Sequence, residues 1–323
     1  MSKRKFSGIM DRRRQKDMNN MPVFPVLMLF TCIALGLAWY AHADSKRHVV
    51  VITSSDSSYQ QRTATRIQQN LDNDSTRTII ISADDVSTTP QQNKTIHVAI
   101  GEEAIEKLDE IDDNAMVLRL NNRRITNSRH TSFQSDLITA QPACKHLLLI
   151  QALNPKWTTI GVLSSINSLD ATAQLTVCAI KYNLNLQLYA ITDESDLLKT
   201  LETAVENNQV LLAIVDPLIY NSRSVKNILL TSYRHRKPVI GYSESFVQAG
   251  AIAAIYTSPE SAGDEAATII NAFFDNKWQF NNKSYTPSDF SVSTNARVAA
   301  SLNLTLPDIN TILERIQGME IAR

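Results

Sequence analysis

Hydroxyl, carboxylate and phenol side chains gather in five short loops of this 323-residue chain, each placed directly after an apolar run. Ser54, Ser55, Asp56 and Ser57 follow His48–Thr53 and lead to Tyr59, and Gly101-Glu102 follows a second such run. Further on, Ser164, Ser165 and Asn167 follow Thr159–Leu163, and Asp216, with Tyr220 and Asn221 behind it, follows Val210–Val215. The fifth group, Tyr242, Ser243 and Glu244, closes the run that begins at Pro238. One such loop is simply a helix cap, because Ser, Asp and Asn side chains accept from the first free amides of a helix. Five at the carboxyl edges of two sheets can hold a ligand, because hydroxyls and helix N-termini converge there. An anionic or zwitterionic group would meet the hydroxyls, and Tyr59, Tyr220 and Tyr242 would lie against an apolar part.

Catalytic chemistry has little to build on. The sequence contains no G-x-S-x-G elbow, H-E-x-x-H pair, Walker loop or G-x-G-x-x-G fingerprint. Eight glycines in the whole chain count against a phosphate-cradling loop. His48, His97, His130 and His146 have no triad spacing, and His235 reads as a solvated cation near a helix end. A lone carboxylate at Asp56, Asp216 or Glu244 is the remaining candidate base. No catalytic residue, metal site or cofactor is expected, and a binder is favoured over an enzyme.

The elements that carry these loops alternate. After the β-branched run at His48–Thr53 comes a helix with Ala64, Ile67 and Leu71 on one face. Strands follow at Arg77–Ser82, His97–Gly101 and Met116–Leu120, with a short helix at Glu102–Leu108. The polar stretch Asn121–Thr139 reads as a connection between lobes. A second series starts with a helix at Pro142–Leu153 and a strand at Thr159–Leu163, followed by helix Asp170–Tyr182 and strand Leu186–Ile191. Helix Glu194–Glu206, strand Val210–Val215 and helix Ser222–Arg236 continue it, the last with Val225, Ile228, Leu229 and Tyr233 expected inward. Ala251–Tyr256 and Phe290–Thr294 read as strands that cross between lobes, and Glu260–Phe274 and Asp308–Ile316 as helices that complete them. Trp278–Thr286 reads as a surface loop or hairpin. Continuous apolar strands separated by helices predict an α/β fold: two Rossmann-like lobes with parallel sheets and a cleft between them. The expected partition is 44–140 plus 257–288 for one lobe and 141–256 plus 289–323 for the other.

Residues 1–43 form a separate segment. Seven Lys/Arg precede the uncharged run Val23–Tyr40, and Ala41-His42-Ala43 then matches a signal-peptidase site. The segment predicts export, by a cleaved signal peptide or an uncleaved inner-membrane anchor, with the body in the periplasm. The formal charge of the chain is zero, but without this segment 25 basic and 30 acidic residues remain. An acidic body lacks the basic footprint that nucleic acid needs, and the membrane would be met only through the N-terminal segment. Cys144 and Cys178 remain in the body. Ala171, Leu175, Cys178 and Tyr182 recur at helical spacing, so two buried thiols are the preferred reading, with a disulfide permitted by export.

Two segments resemble a known family. Pro238-Val-Ile-Gly-Tyr-Ser-Glu-Ser-Phe-Val-Gln-Ala-Gly-Ala-Ile-Ala-Ala-Ile-Tyr256 is one; Val292-Ser-Thr-Asn-Ala-Arg-Val-Ala-Ala-Ser-Leu302 with Leu306-Pro307 is the other. Both are similar to the ABC-transporter substrate-binding protein family related to bacterial tryptophan/tyrosine-type binding proteins. The resemblance covers Pro142–Pro307 well and the first lobe in pattern only. It implies the type I periplasmic-binding fold, hinge closure on a small amino-acid-like ligand, and a partner ABC permease. Family members that bind amino acids carry an acid shortly after the Ala213–Val215 strand. Here Tyr220-Asn221 stands at the aligned position and Asp216 is the nearest acid. A membrane-tethered sensory or accessory domain is the alternative, and an α/β enzyme such as a glycosyltransferase the least favoured.

Overall fold

Alternating side chains decide how the sheets are covered. In the first strand Val49 and Val51 face one helical layer while Val50 and Ile52 face the other, and all four are buried. A strand buried on both faces cannot show polar alternation, and for that reason its sequence is continuously apolar.

The computed structural model describes residues 46–54, 57–88, 95–111, 115–122 and 132–321. The predicted export segment at 1–43 lies outside these residues, as do Ser55, Asp56 and the stretch 123–131 with His130. Among the described residues no helix is long and apolar enough to cross a membrane.

The first series comprises β1 (Arg47–Thr53), α1 (Ser58–Leu71), β2 (Thr76–Ser82), β3 (Thr95–Ile100), α2 (Glu102–Ile111), β4 (Met116–Asn121) and β5 (Gln134–Ile138). The second begins with α3 (Ala143–Leu153), β6 (Thr159–Ser164), α4 (Leu169–Lys181), β7 (Asn185–Ala190) and α5 (Leu197–Asn207). It continues with β8 (Val210–Leu212), α6 (Val225–Arg234), β9 (Val239–Gly241), α7 (Glu244–Ala249) and β10 (Ala253–Tyr256). The chain closes with α8 (Pro259–Asp275), β11 (Ser284–Tyr285), β12 (Ser291–Thr294), α9 (Ala296–Ser301) and α10 (Ile309–Ile321). Two six-stranded sheets result, ordered β11-β5-β4-β3-β1-β2 and β12-β10-β9-β8-β6-β7. Pairing is parallel except between β10 and β12. Helix α8, although it follows a second-sheet strand, packs its Ala266, Ile270 and Phe273 on the first sheet. Helices α3, α4 and α10 share one face of the second sheet, and α5, α6 and α7 the other.

Four sequence expectations need correction. The stretch Asn121–Thr139, taken as a polar connection, contains β5, a buried strand inside the first sheet. Its polar residues are tolerated because they have partners: Ser135 Oγ donates to the Asn282 carbonyl at 2.8 Å, and Asp136 lies 3.9 Å from Arg119. Trp278–Thr286 is no free hairpin. Trp278 and Phe280 pack on Phe273, and Ser284–Tyr285 pairs in parallel with β5. On α6 the inward residues are Ile228, Leu229 and Ser232, while Tyr233 is exposed. The fourth correction concerns the cysteines, which form a disulfide joining the first turn of α3 to the last turn of α4, with Cα atoms 5.3 Å apart. Helical periodicity places Cys178 on an apolar face, but it is silent on which neighbouring helix that face meets. Closing a loop of 34 residues is worth about 4 kcal/mol by chain entropy.

Helix α3 is buried almost all round, including His146, whose Nδ1 lies 3.4 Å from the Pro142 carbonyl oxygen. Burial pushes this imidazole down to about 4 from 6.5, with the Pro142 contact acting weakly in the other direction. The folded value lies below the unfolded one, so the unfolded chain takes up the proton first as pH falls. Stability from this group is intact above about pH 6.5 and is lost progressively towards pH 4. Urea titrations across that window should show a loss on the order of 3 kcal/mol from this group. His146→Leu should flatten that part of the profile.

Candidate functional site

Each sheet runs second, first, third, fourth and fifth strand in order, so the winding reverses between β1 and β3 and between β6 and β8. At such points the loops leaving adjacent strands diverge and open a crevice at the carboxyl edge. Ser54 and Gly101 stand at the first switch point, Ser164, Ser165 and Asp216 at the second.

In the first lobe, the Ser54 amide donates to Gln60 Oε1 at 2.7 Å. The same Gln60 amide group fills the space over Gly101, where a Cβ would collide with it. Gly101 has φ +90°, a conformation that costs a glycine nothing, so the close approach and the turn both require this residue. Ser57 N-caps α1, accepting from the Gln60 amide at 3.4 Å. Tyr59 is half-buried and its phenol donates to the Thr257 carbonyl at 3.2 Å. Burial pushes that phenol up to about 12, against a weaker opposing effect of its hydrogen bond with Thr139. Glu102 is exposed in the first turn of α2.

The second lobe gathers more of the predicted residues. Asp216 is fully buried, and its carboxylate accepts from the Ser165 amide and hydroxyl, both at 2.9 Å, and from Ser168 Oγ at 2.6 Å. It also accepts from the Leu218 amide at 3.2 Å. These bonds tie the end of β6 to the end of β8 and occupy both carboxylate oxygens. Asn167 is exposed in the same turn, its amide donating to Ser165 Oγ. Asn221 caps the approach to α6: its Oδ1 accepts from the Arg223 and Ser224 amides, and its side chain lines an outer groove between α5 and α6. Tyr220, its neighbour, turns the opposite way into a ring cluster with Tyr242 and Phe246.

In that cluster Tyr220 and Phe246 are buried and Tyr242 is half-buried. Ring centroids lie 6.3 Å apart for Tyr220 and Tyr242, and 5.0 Å apart for Tyr242 and Phe246. A Cβ on Gly241 would stand 2.6 Å from that of Phe246, so glycine there lets the ring in. Ser243 caps α7, accepting from the Phe246 amide at 3.3 Å, which fixes Phe246 from the other side. Burial pushes the Tyr242 phenol up to about 12, with the Asp216 charge adding to it. Tyr220 is pushed up further, by burial first and then by Tyr242 and Asp216. Both phenols are therefore neutral hydrogen-bonding groups on an apolar wall.

Glu244 is half-buried on this edge, and its charge reaches the first lobe. The Arg62 guanidinium of α1 is held above its ordinary value mainly by its hydrogen bond to Glu260 at 2.8 Å, and further by Glu260, Glu244 and Tyr256 charges.

Sequence reasoning named none of the side-chain bonds that hold the crossings together. The chain passes between sheets after β5, after β10 and before β12. Gln141 Nε2, on the first crossing, donates to Thr257 Oγ1 on the second at 2.7 Å and to the Asp289 carbonyl on the third at 3.0 Å. Thr257 Oγ1 in turn donates to the Thr139 carbonyl at 2.6 Å. These partners lie more than a hundred residues apart, and no spacing rule could have paired them.

Two substitutions separate these networks. Asp216→Ala strands buried donors on Ser165 and Ser168 and should cost about 2–4 kcal/mol in urea unfolding. Thr257→Val removes the crossing bonds at nearly constant volume and should cost about 1–3 kcal/mol, with Thr257→Ser retaining most of the stability.

Comparison with known proteins agrees with this architecture. No curated protein matches the sequence significantly. The structure is similar to an ABC domain in complex with L-Trp from Streptococcus pneumonia, at 16% identity and TM-score 0.61, covering 84% of this chain and 98% of that one. It is also similar to the ligand-free, open form of a substrate binding protein with adhesive properties from Clostridium difficile, at 16% identity, TM-score 0.62, covering 81% and 96%. A periplasmic ribose ABC transporter protein from Conexibacter woesei has 9% identity and TM-score 0.52, covering 85% and 98%. These likenesses establish the type I periplasmic-binding fold. The profile described as ABC transporter substrate binding protein matches residues 134–314, more than half of the chain. Two parallel-sheet lobes, polar switch points and that match together make the chain a solute-binding protein of the ABC transporter substrate-binding family.

Proposed function

We propose that the chain captures a small polar or zwitterionic solute between its two lobes and delivers it to an ABC permease. The observation that carries the ligand class is the neutral, half-buried ring of Tyr242, backed by buried Tyr220, beside Ser243 at the carboxyl edge of the second sheet. Such a ring suits a ligand with a flat or apolar body, and the Ser57-capped N-terminus of α1 suits its anionic end. The L-Trp bound by the Streptococcus pneumonia neighbour supports an amino-acid-like solute. Asp216 does not serve the ammonium of such a ligand, because both its oxygens are already bonded inside the protein. Glu244, half-buried and within electrostatic reach of the opposite lobe, takes that role.

Family membership and the disulfide support an exported, periplasmic site of action, since such bridges persist in oxidising compartments. The action is capture and release, without turnover.

Thermal melting against amino acids, short peptides, purines, sugars and organic anions tests the reading. A ligand at a hundred times its Kd adds about 2.7 kcal/mol and raises Tm by several degrees. Aromatic or branched amino acids should give that shift, Tyr242→Ala should remove most of it, and Glu244→Gln should weaken zwitterions selectively. A shift with sugars alone would overturn the amino-acid-like reading, and no shift with any compound would overturn solute capture.

A further inference from the structure

Helix α4 has two apolar faces, and the fold uses one. Leu175, Cys178 and Ala179 are buried against α3 and the second sheet. On the opposite side Leu169, Val177 and Ile180 are 56%, 68% and 78% exposed, and Ile166, in the turn that leads into α4, is 77% exposed. With Ala173, also exposed, these residues fall at steps of three or four, the spacing of a helix–helix seam. At about 100° per residue, the four within α4 (Leu169, Ala173, Val177 and Ile180) lie within roughly 80° of arc, a single straight stripe, and Ile166 precedes them in the turn. An exposed β-branched and leucine stripe of this length is unusual on an isolated soluble domain and marks a contact surface. Beside it, Pro142, Ala143, Ala173, Val177 and the Cys144–Cys178 bridge line a shallow apolar cavity of about 370 Å³. The face is therefore a ridge with a hollow next to it.

The charges along the stripe say what covers it. Asp170 and Lys181 are both exposed and flank the same side of the stripe, because eleven residues make almost three whole turns. They stand about 16 Å apart along the axis, an acid towards the N-terminus and a base towards the C-terminus. When two helices pair antiparallel about a two-fold axis, like flanks face each other with their ends exchanged. Asp170 of one copy then meets Lys181 of the other, twice. Parallel pairing would instead place this flank against the uncharged opposite one.

From the stripe, the hollow and the charge order we infer that α4 is a self-association surface, on which a second copy of this chain packs its own α4 antiparallel about a two-fold axis. The surface is isologous: the same patch serves both copies, as closed two-fold dimers require. The stripe starts at Ile166, in the carboxyl-edge loop that follows β6, and runs away from that edge along the helical layer beside α3.

Two differently tagged copies of the full chain, co-expressed and purified through one tag, test the proposal. The unaltered copies should co-elute. Val177→Glu with Ile180→Asp in both copies should reduce co-elution at least tenfold while leaving the circular-dichroism melt unchanged, because both side chains are exposed. Asp170→Lys alone or Lys181→Asp alone, present in both copies, should weaken pairing. A copy with Asp170→Lys should pair with a copy carrying Lys181→Asp at least as well as the unaltered copies pair. Copies that do not co-elute, or co-elution that survives Val177→Glu with Ile180→Asp, would overturn the proposal. Failure of the two complementary single variants to pair would overturn the antiparallel arrangement. Binding of the chain to a permease or to lipid vesicles that is lost with the same stripe variants, in the absence of self-pairing, would assign the face to another partner and overturn it as well.

Discussion

Three chain crossings held together by Thr257 and Gln141 make this molecule one object instead of two. Each lobe has its own sheet and its own pair of cores, and neither needs the other to bury its apolar strands. What relates them is a handful of hydrogen bonds between segments that are polar and otherwise irregular. A rigid apolar interface there would fix one separation of the lobes. Side-chain bonds around a single threonine instead tie the three crossings to one another. Tyr59 extends the network to the first helix, so a residue at the carboxyl edge of the first sheet is bonded directly to the second crossing.

The carboxyl edge of the second sheet separates two tasks that look alike in the sequence. Asp216 and Tyr220 stand four residues apart, and both could face a ligand. Asp216 instead holds two strand ends together through Ser165 and Ser168, where a buried charge is stable because its oxygens are bonded. Tyr220 supports Tyr242, and the pair offers a neutral surface because burial keeps the phenols protonated. The structural acid thus shapes the ring cluster beside it.

The disulfide has a related part on the other face of the lobe. Cys144 is the second residue of α3, three residues after Gln141, so the bridge to α4 anchors the start of the helix that follows the first crossing. The helix nearest the crossing is thus covalently pinned to its neighbour in the lobe. The same bridge forms part of the hollow beside the exposed stripe of α4, which links the stability of the lobe to the shape of its outer surface.

Local order in the chain was legible wherever one element decides it. Continuous apolar runs named the strands, helical periodicity named Ala64, Ile67 and Leu71 as an inner face, and polar strand ends named Ser165, Tyr242 and Ser243 as edge residues. The consecutive residues of Pro238–Tyr256 were enough to suggest the family. Features made by two distant segments left no trace in local pattern. Strand β5 hid because its buried polar residues are satisfied by Arg119 and by the chain near Asn282. The Cys144–Cys178 pairing, the occupation of Asp216 and the Thr257 bonds were likewise invisible. The sequence by itself therefore determined the α/β lobes and the side chains available at their edges, because burial on two faces and strand-end chemistry act over a few residues. Only the tertiary structure decided which of those side chains is free to meet a ligand, because a polar group's role depends on which distant partners reach it first.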